Sequence, residues 1–446
     1  MALQYAVYRN DIRAMLRIGI PLALAELGWM SMAVVDNMMV GRLPDSAVAI
    51  GAASLGGALF YSFAIFGIGL MSGLDTMVSH AYGAGDRPET HRSLASGLCL
   101  ALCASPVLAA FIFFATPLLT VIGVQSPVRE HAVEFTRILI WSLPLLLVYT
   151  TFRRYLQGIH YVKPVTFALI TSNLVNLLGN WILIYGHWGV PARGLRGSAI
   201  STVLARLYLA AALVVAVRLR DPDAFRAARP DFSHVWRLLK LGLPAALTIG
   251  FEVGVFNVAT ALAGKLDPVS LAAHTIALNA AALTYMVPLG IGSAAAVSVG
   301  RALGAKDRSH AARAGWTALG LGVVFEIGSA AIFLFLPRHI ARAYTQDRQV
   351  ISFTVSLFAI AAVFQIFDGL QTIATGALRG AGNTRTPMVW NLLGYWVIGL
   401  PLGCWLCFVR GWGVTGLWDG LCLALILIGT GLTGVWQTQT KSWHST

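Results

Sequence analysis

Long apolar runs alternate with short polar breaks from one end of the chain to the other. The runs predict helices over 16–40, 47–79, 92–123, 131–157, 163–187, 194–217, 237–263, 269–300, 311–336, 349–378, 386–409 and 413–436. Each is long enough to supply the ~20 apolar residues that a helix needs to cross a bilayer. The longer ones leave length to spare for tilt. The fold class that follows is all-α integral membrane, with twelve transmembrane helices. The longest polar stretch, 218–236, carries Arg218, Arg220, Arg226 and Arg229 with Pro222 and Pro230. It reads as a cytoplasmic linker between an N-lobe of six helices (1–217) and a C-lobe of six (237–446).

The two lobes look like copies. Leu16-Arg17-Ile18-Gly19-Ile20-Pro21 matches Leu239-Lys240-Leu241-Gly242-Leu243-Pro244 at a shift of 223, and Gly41-Arg42-Leu43 matches Gly264-Lys265-Leu266 at the same shift. Gly83-Ala84-Gly85-Asp86 meets Gly304-Ala305-Lys306-Asp307 at 221. Ordered matches at a nearly constant shift indicate duplication. An even number of spans per copy leaves both copies facing the same way, related by a pseudo-two-fold axis along the membrane normal.

Composition removes the soluble alternatives. Only 11% of the residues are charged, 57% are hydrophobic, and the mean hydropathy is +0.72. A soluble domain carries about 25% charged residues. The formal charge of +13 comes from 32 Lys and Arg against 19 Asp and Glu. The basic residues lie between the apolar runs, so they read as topology signals and contacts for anionic lipid, not as a nucleic-acid surface. With the N-terminus inside, the cytoplasmic segments collect 21 Lys and Arg and the other side 10. Both termini are therefore expected in the cytoplasm. Arg9, Arg13 and Arg17 lead into a span that continues to about Val40, unlike a cleavable signal peptide. All five cysteines fall in apolar runs and no HExxH spacing occurs. Cys404 and Cys407 form a lone CxxC without a second pair and read as core thiols. No cofactor is expected.

A charge at the bilayer centre costs about 2.5–3.5 kcal/mol on insertion scales. Mid-span Glu26, Asp36, Glu252, Glu326 and Asp368 therefore carry a functional expectation, and their shared sign suits a cation pathway. Asn176 and Asn180, spaced i, i+4, share one helix face. With Asp36 and Thr202 they supply one charge and several neutral oxygens, a set fitted to Na⁺; interhelical hydrogen bonding is the competing use. A proton would need only Asp36. Pro21 can bend the first helix and free carbonyls near the site. Glu252 and Asp368 are the acids of the second half; Glu326 and Glu26 are secondary candidates. Arg206 is expected to pair with a carboxylate or to snorkel. Trp29, Phe60, Tyr61, Phe256 and Tyr285 could line a cavity and stack on cations.

Several segments, taken together, resemble the multidrug and toxic compound extrusion (MATE) family and, within it, the bacterial NorM-like branch. They are Val35-Asp36-Asn37-Met38-Met39-Val40-Gly41-Arg42, Gly83-Ala84-Gly85, Gly250-Phe251-Glu252-Val253, Ala272-Ala273-His274 with Asn279, Pro288-Leu289-Gly290-Ile291-Gly292, Phe367-Asp368-Gly369-Leu370-Gln371 and Gly376-Ala377-Leu378-Arg379-Gly380. The resemblance implies two six-helix lobes around a central cavity and a monomer in a bacterial inner membrane. It implies antiport of cationic or amphiphilic drugs against Na⁺ or H⁺. It places the N-lobe cation site at Asp36, Asn176, Asn180 and Thr202. It places C-lobe coupling and substrate contacts at Glu252 and Asp368, with Asn279 and Tyr285 beside them. Asn180 stands where some relatives have a second acid, and Glu26 where many have an amide.

Three other readings compete. A flippase of lipid-linked sugars from the same superfamily would want Arg and Lys in its cavity for pyrophosphate, and this chain puts acids in its spans. A facilitator-type transporter of another twelve-span fold would show a fuller loop signature than Gly83-Ala84-Gly85-Asp86-Arg87. A membrane enzyme would need a His cluster, a catalytic acid pair near one face or a nucleophile motif.

Overall fold

The computed structural model describes residues 2–121, 123–225 and 231–444. No strand occurs among them. In chain order the helices are α1 (Ala2–Val40), α2 (Ser46–Met71), α3 (Gly73–Gly83), α4 (Arg87–Ala115), α5 (Leu118–Val121), α6 (Ser126–Ile140), α7 (Leu143–Gly158), α8 (Lys163–Tyr185) and α9 (Gly194–Arg220). After them come α10 (Phe232–Ala263), α11 (Pro268–Gly304), α12 (Arg308–Phe335), α13 (Pro337–Tyr344), α14 (Arg348–Gly380), α15 (Arg385–Asn391), α16 (Leu400–Cys404) and α17 (Val414–His444). The π-helical stretch Leu392–Gly399 joins α15 to α16 and a second, Trp405–Val409, continues α16, so that Arg385–Val409 is one span.

Among the described residues eleven helices are long and apolar enough to cross a membrane, and α6 with α7, bent by 48° at the break between them, makes a twelfth when the pair is taken as one span. The bend has a local cause. Pro144 sits at the start of α7 and offers no N–H to the preceding turn, so the helix breaks at Trp141 and Ser142. Several helices begin a turn before their apolar run, because aspartates cap them. Asp86, Asp307 and Asp347 accept from backbone N–H groups of Glu89, His310 and Gln349 at 2.8–3.0 Å. Asp267 does the same for Ser270, whose N–H and hydroxyl hold this exposed carboxyl below its usual pKa range.

The duplication is visible in backbone geometry. Gly85 and Lys306, matched in the repeat, both adopt left-handed φ, +73° and +61°. Each precedes the aspartate that caps the next helix, Asp86 for α4 and Asp307 for α12.

The chain packs as two units, one formed by 24–246 and the other by 1–23 with 247–446. The polar linker is not the dividing line. Instead α1 and α10 each change units two residues beyond a proline, Pro21 and Pro244. A proline inside a helix removes one ladder hydrogen bond and crowds the preceding turn, which makes it the natural place for a helix to change neighbours. Of the linker, Pro222–Phe225 forms one 3₁₀ turn; Arg226, Arg229 and Pro230 lie outside the described residues. In the 24–246 unit α8 packs along α9, and α2 along α6. In the other unit α14 is central and touches α11, α12 and α17. A β-carbon on Gly376 would collide with the Gly292 carbonyl, so glycine there sets the close approach of α11 and α14.

Candidate functional site

In the 24–246 unit, Asp36 on α1 meets α8 and α9. Asn180 Nδ2 donates to Asp36 Oδ1 at 2.5 Å and to Asn176 Oδ1 at 3.3 Å. Thr202 Oγ1 donates to Asp36 Oδ2 at 3.3 Å and to the Ser198 carbonyl at 3.1 Å. The four residues drawn from the sequence thus form one cluster. Helix periodicity explains the geometry, since Asn176 and Asn180 lie one turn apart on α8 and Ser198 and Thr202 one turn apart on α9. Asn176 and Asn180 are fully buried, and Asn180 Oδ1 and Asn176 Nδ2 have no hydrogen-bond partner among the described residues. An oxygen buried without a donor is an acceptor held in reserve.

Asp36 and Thr202 line a cavity of about 320 Å³ with Trp29, Tyr61, Ser198 and Arg206. Arg206 neither pairs with a carboxylate among the described residues nor reaches a helix end. It is 2% exposed, donates to Ser142 Oγ and to Tyr61 Oη (2.8 Å), and its guanidinium lies 4.7 Å from the Phe60 ring centre. Asp36 feels its charge. One cavity therefore holds a carboxylate and a fixed cation. Trp29 stacks on Tyr149, with ring centres 6.1 Å apart.

Glu26 lies outside this cluster. It is buried and ion-paired with Arg153. Sequence reasoning passes over Arg153, and equally over Asp75, fully buried and paired with Arg154 at 3.0 Å. The signal was present: two adjacent arginines close an apolar run in α7, and a buried charge in a membrane protein calls for an opposite one.

In the other unit, Glu252 on α10 accepts from Tyr285 Oη on α11 at 2.9 Å and from Gln371 Nε2 on α14 at 3.2 Å. Gln371 also donates to Asn391 Oδ1 at 3.4 Å and accepts from Tyr395 Oη at 2.8 Å. Asn391 and Tyr395 flank the start of the first π-helical stretch. Such wide turns occur often at functional positions. Gln371, Asn391 and Tyr395 are further members of the site; their signal is polar groups inside apolar runs. Asp368, on the same helix as Gln371, is buried, its Oδ1 has no hydrogen-bond partner among the described residues, and it feels the charges of Glu252 and Glu326. Glu326 on α12 is buried against Gly369, beside Asp368, and its Oε2 has no hydrogen-bond partner among the described residues. It belongs with the two principal acids. Asn279 does not join them: it is exposed and makes no side-chain hydrogen bond among the described residues. No basic side chain pairs with the three acids among the described residues.

His274 is structural. Trp418 Nε1 donates to its Nδ1 at 3.0 Å, so Nε2 carries the proton toward Thr260 Oγ1 at 2.9 Å, and three helices are tied together.

An all-helical chain with this many membrane-crossing helices, and buried acids within both of its units, has the build of a multi-span membrane transporter. Comparison with known proteins gives the family. The MatE family model matches residues 21–182 and again 244–405, so each match begins at one of the two unit-changing prolines. The chain is 34% identical to a probable multidrug resistance protein NorM of Mesorhizobium japonicum, across 98% of this chain and 95% of that one. It is 36% identical to a multidrug resistance protein NorM of Burkholderia vietnamiensis, across 96% and 94%. The eukaryotic MATE transporter AtDTX14 has the same fold, with a TM-score of 0.88 at 21% identity over 98% and 99% of the two chains. A MATE protein solved in a bent conformation also scores 0.88, at 17% identity over 99% and 98%. The chain belongs to the MatE family and is a transporter rather than an enzyme.

Proposed function

We propose that the protein is a secondary active multidrug exporter that exchanges cationic or amphiphilic small molecules for Na⁺ or H⁺ by alternating access. The observation that carries this reading is the cluster of the buried acids Asp368 and Glu326 with the half-buried Glu252, none with a basic partner among the described residues. Acids held this way demand a cation, a proton or a cationic substrate, and each occupant excludes the others electrostatically. That competition is the core of an exchange cycle. The NorM names of the full-length relatives support the drug substrate.

Asp36 is the ion site of the other unit in this reading. The Asn180 amide and the Thr202 hydroxyl donate to its carboxylate. A half turn of the Asn180 amide would bring its unpartnered Oδ1 beside Asp36, so that Asp36, Asn176, Asn180 and Thr202 offer oxygens to a hard cation. This favours Na⁺ over H⁺, since a proton needs no such oxygens. Pro21 is the bending element.

The test is drug flux in proteoliposomes with an imposed Na⁺ or H⁺ gradient. Flux driven by a Na⁺ gradient at equal pH is expected. Flux driven only by a pH gradient would replace Na⁺ by H⁺, and flux indifferent to both would overturn ion coupling.

A further inference from the structure

Three basic residues of this chain are not explained by topology. Arg338 and Arg342 on α13 and Arg348 at the start of α14 lie on the side expected to face away from the cytoplasm. Lys and Arg are normally depleted there. Arg338 and Arg342 are spaced i, i+4 on α13 and share a face. Arg348, Ser352 and Ser356 repeat at the same spacing on the first turns of α14. These two stripes, with Gln346, line one cleft of about 760 Å³ that has no carboxylate in its lining among the described residues. The nearest acid in sequence, Asp347, is spent on capping α14 through the N–H groups of Gln349 and Val350. None of the three arginines forms an ion pair among the described residues.

The neighbouring surface is apolar. Along the outer face of α12, Val324, Ile327, Leu334 and Phe335 are 71%, 54%, 53% and 81% exposed, and Phe335 stands two residues before α13. Such a face on a membrane-crossing helix is covered by acyl chains. A cluster of guanidinium groups and hydroxyls at the end of an acyl-chain track has the chemistry of a phosphate cradle, because arginine matches phosphate oxygens two at a time.

The duplicated half shows that this is not a generic feature of the position. The corresponding cleft, between α4 and α6, holds about 690 Å³ and contains Arg129 and Arg137, but also Glu130 and Glu134. Glu134 pairs there with Arg196 at 2.6 Å, and Arg137 lies over the Phe113 ring. One copy has mixed charge; the other is purely basic.

We propose that the Arg338–Arg342–Arg348 cleft binds the phosphate headgroup of an anionic phospholipid, whose acyl chains lie on the outer face of α12. The site is independent of the drug and ion sites.

The full-length protein, purified in a neutral detergent, is heated with added cardiolipin, phosphatidylglycerol, phosphatidylcholine or inorganic phosphate. The two anionic lipids should raise the unfolding temperature by several degrees, and the other two additives should not. The variant R338Q/R342Q/R348Q should unfold as the parent does without lipid and lose the shift. The variant R129Q/R137Q should keep it. A full shift in the triple variant would overturn the proposal. So would an equal shift with phosphatidylcholine, with phosphate alone (a soluble-anion site), or an equal loss in R129Q/R137Q. Should the triple variant fold poorly, lipid counting on the parent by native mass spectrometry decides: a retained anionic lipid supports the site, and none retained removes it.

Discussion

At the scale of single residues, the two units handle charge in opposite ways. The cavity around Asp36 is electrically balanced by Arg206, while Glu252, Asp368 and Glu326 have no counter-charge among the described residues. A fixed cation near Asp36 weakens the hold of that carboxylate on any mobile cation. Arg206→Gln should therefore lower the ion concentration for half-maximal flux by about tenfold, the effect of one unit charge in a partly polarisable interior. Arg206→Lys should stay near the parent value. Equal ion dependence in parent and Gln variant would remove Arg206 from this role. Asp36→Asn keeps the shape and removes the charge, and it should abolish gradient-driven flux at normal expression. Glu252→Gln and Asp368→Asn should each abolish export, with the double variant no worse than either, as expected of groups that serve one step. Normal thermal stability with lost flux supports this. Lost stability that adds between the two sites would make them structural.

At the scale of elements, the helix-to-helix loops of the repeat share a left-handed backbone position, filled by glycine in one copy and by lysine in the other. Gly85 and Lys306 occupy the same left-handed position, which costs an L-residue with a side chain roughly 1–2 kcal/mol. No atom lies within 4 Å of a β-carbon at Gly85, so only the backbone term enters there. Gly85→Ala should lower the unfolding temperature, by the equivalent of about 1 kcal/mol. Lys306→Gly should raise it by a smaller amount, because glycine also gains freedom in the unfolded chain. Thermal unfolding in detergent reads both, and shifts of the same sign would contradict the argument. The bend between α6 and α7 and the unit changes in α1 and α10 have proline as their common cause, and the apolar pattern runs through all three places unbroken.

At the scale of the whole molecule, α1 and α10 each belong to both units. Residues 1–23 pack with 247–446, and the start of α10 packs with the first half of the chain. Neither half is complete without a segment of the other. Expressed alone, fragments 1–225 and 231–446 should each be degraded; expressed together, they should assemble and restore drug resistance. A stable, protease-resistant single fragment would show that the shared segments are dispensable.

The span positions, the duplication and the mid-span acids Asp36, Glu252, Glu326 and Asp368 were legible in the sequence, for one reason. Lipid offers backbone groups no partner and penalises charge, so spans must be helical and apolar, and an acid within one stands out. The Asp36 cluster was legible for the same reason, through amides and a hydroxyl at helical spacing. Pairing was not. Glu26 and Arg153 are 127 residues apart, and Asp36 and Asn180 are 144 apart. Periodicity tells which face of a helix is polar, and nothing in it tells which helix that face meets. Tertiary packing alone decided that Glu26 is neutralised, that Arg206 shares a cavity with Asp36, that Glu326 joins Asp368, and that Asn279 stands apart. It also placed the division of the chain within α1 and α10 instead of in the linker, because long helices carry their neighbours past the polar breaks that a sequence displays.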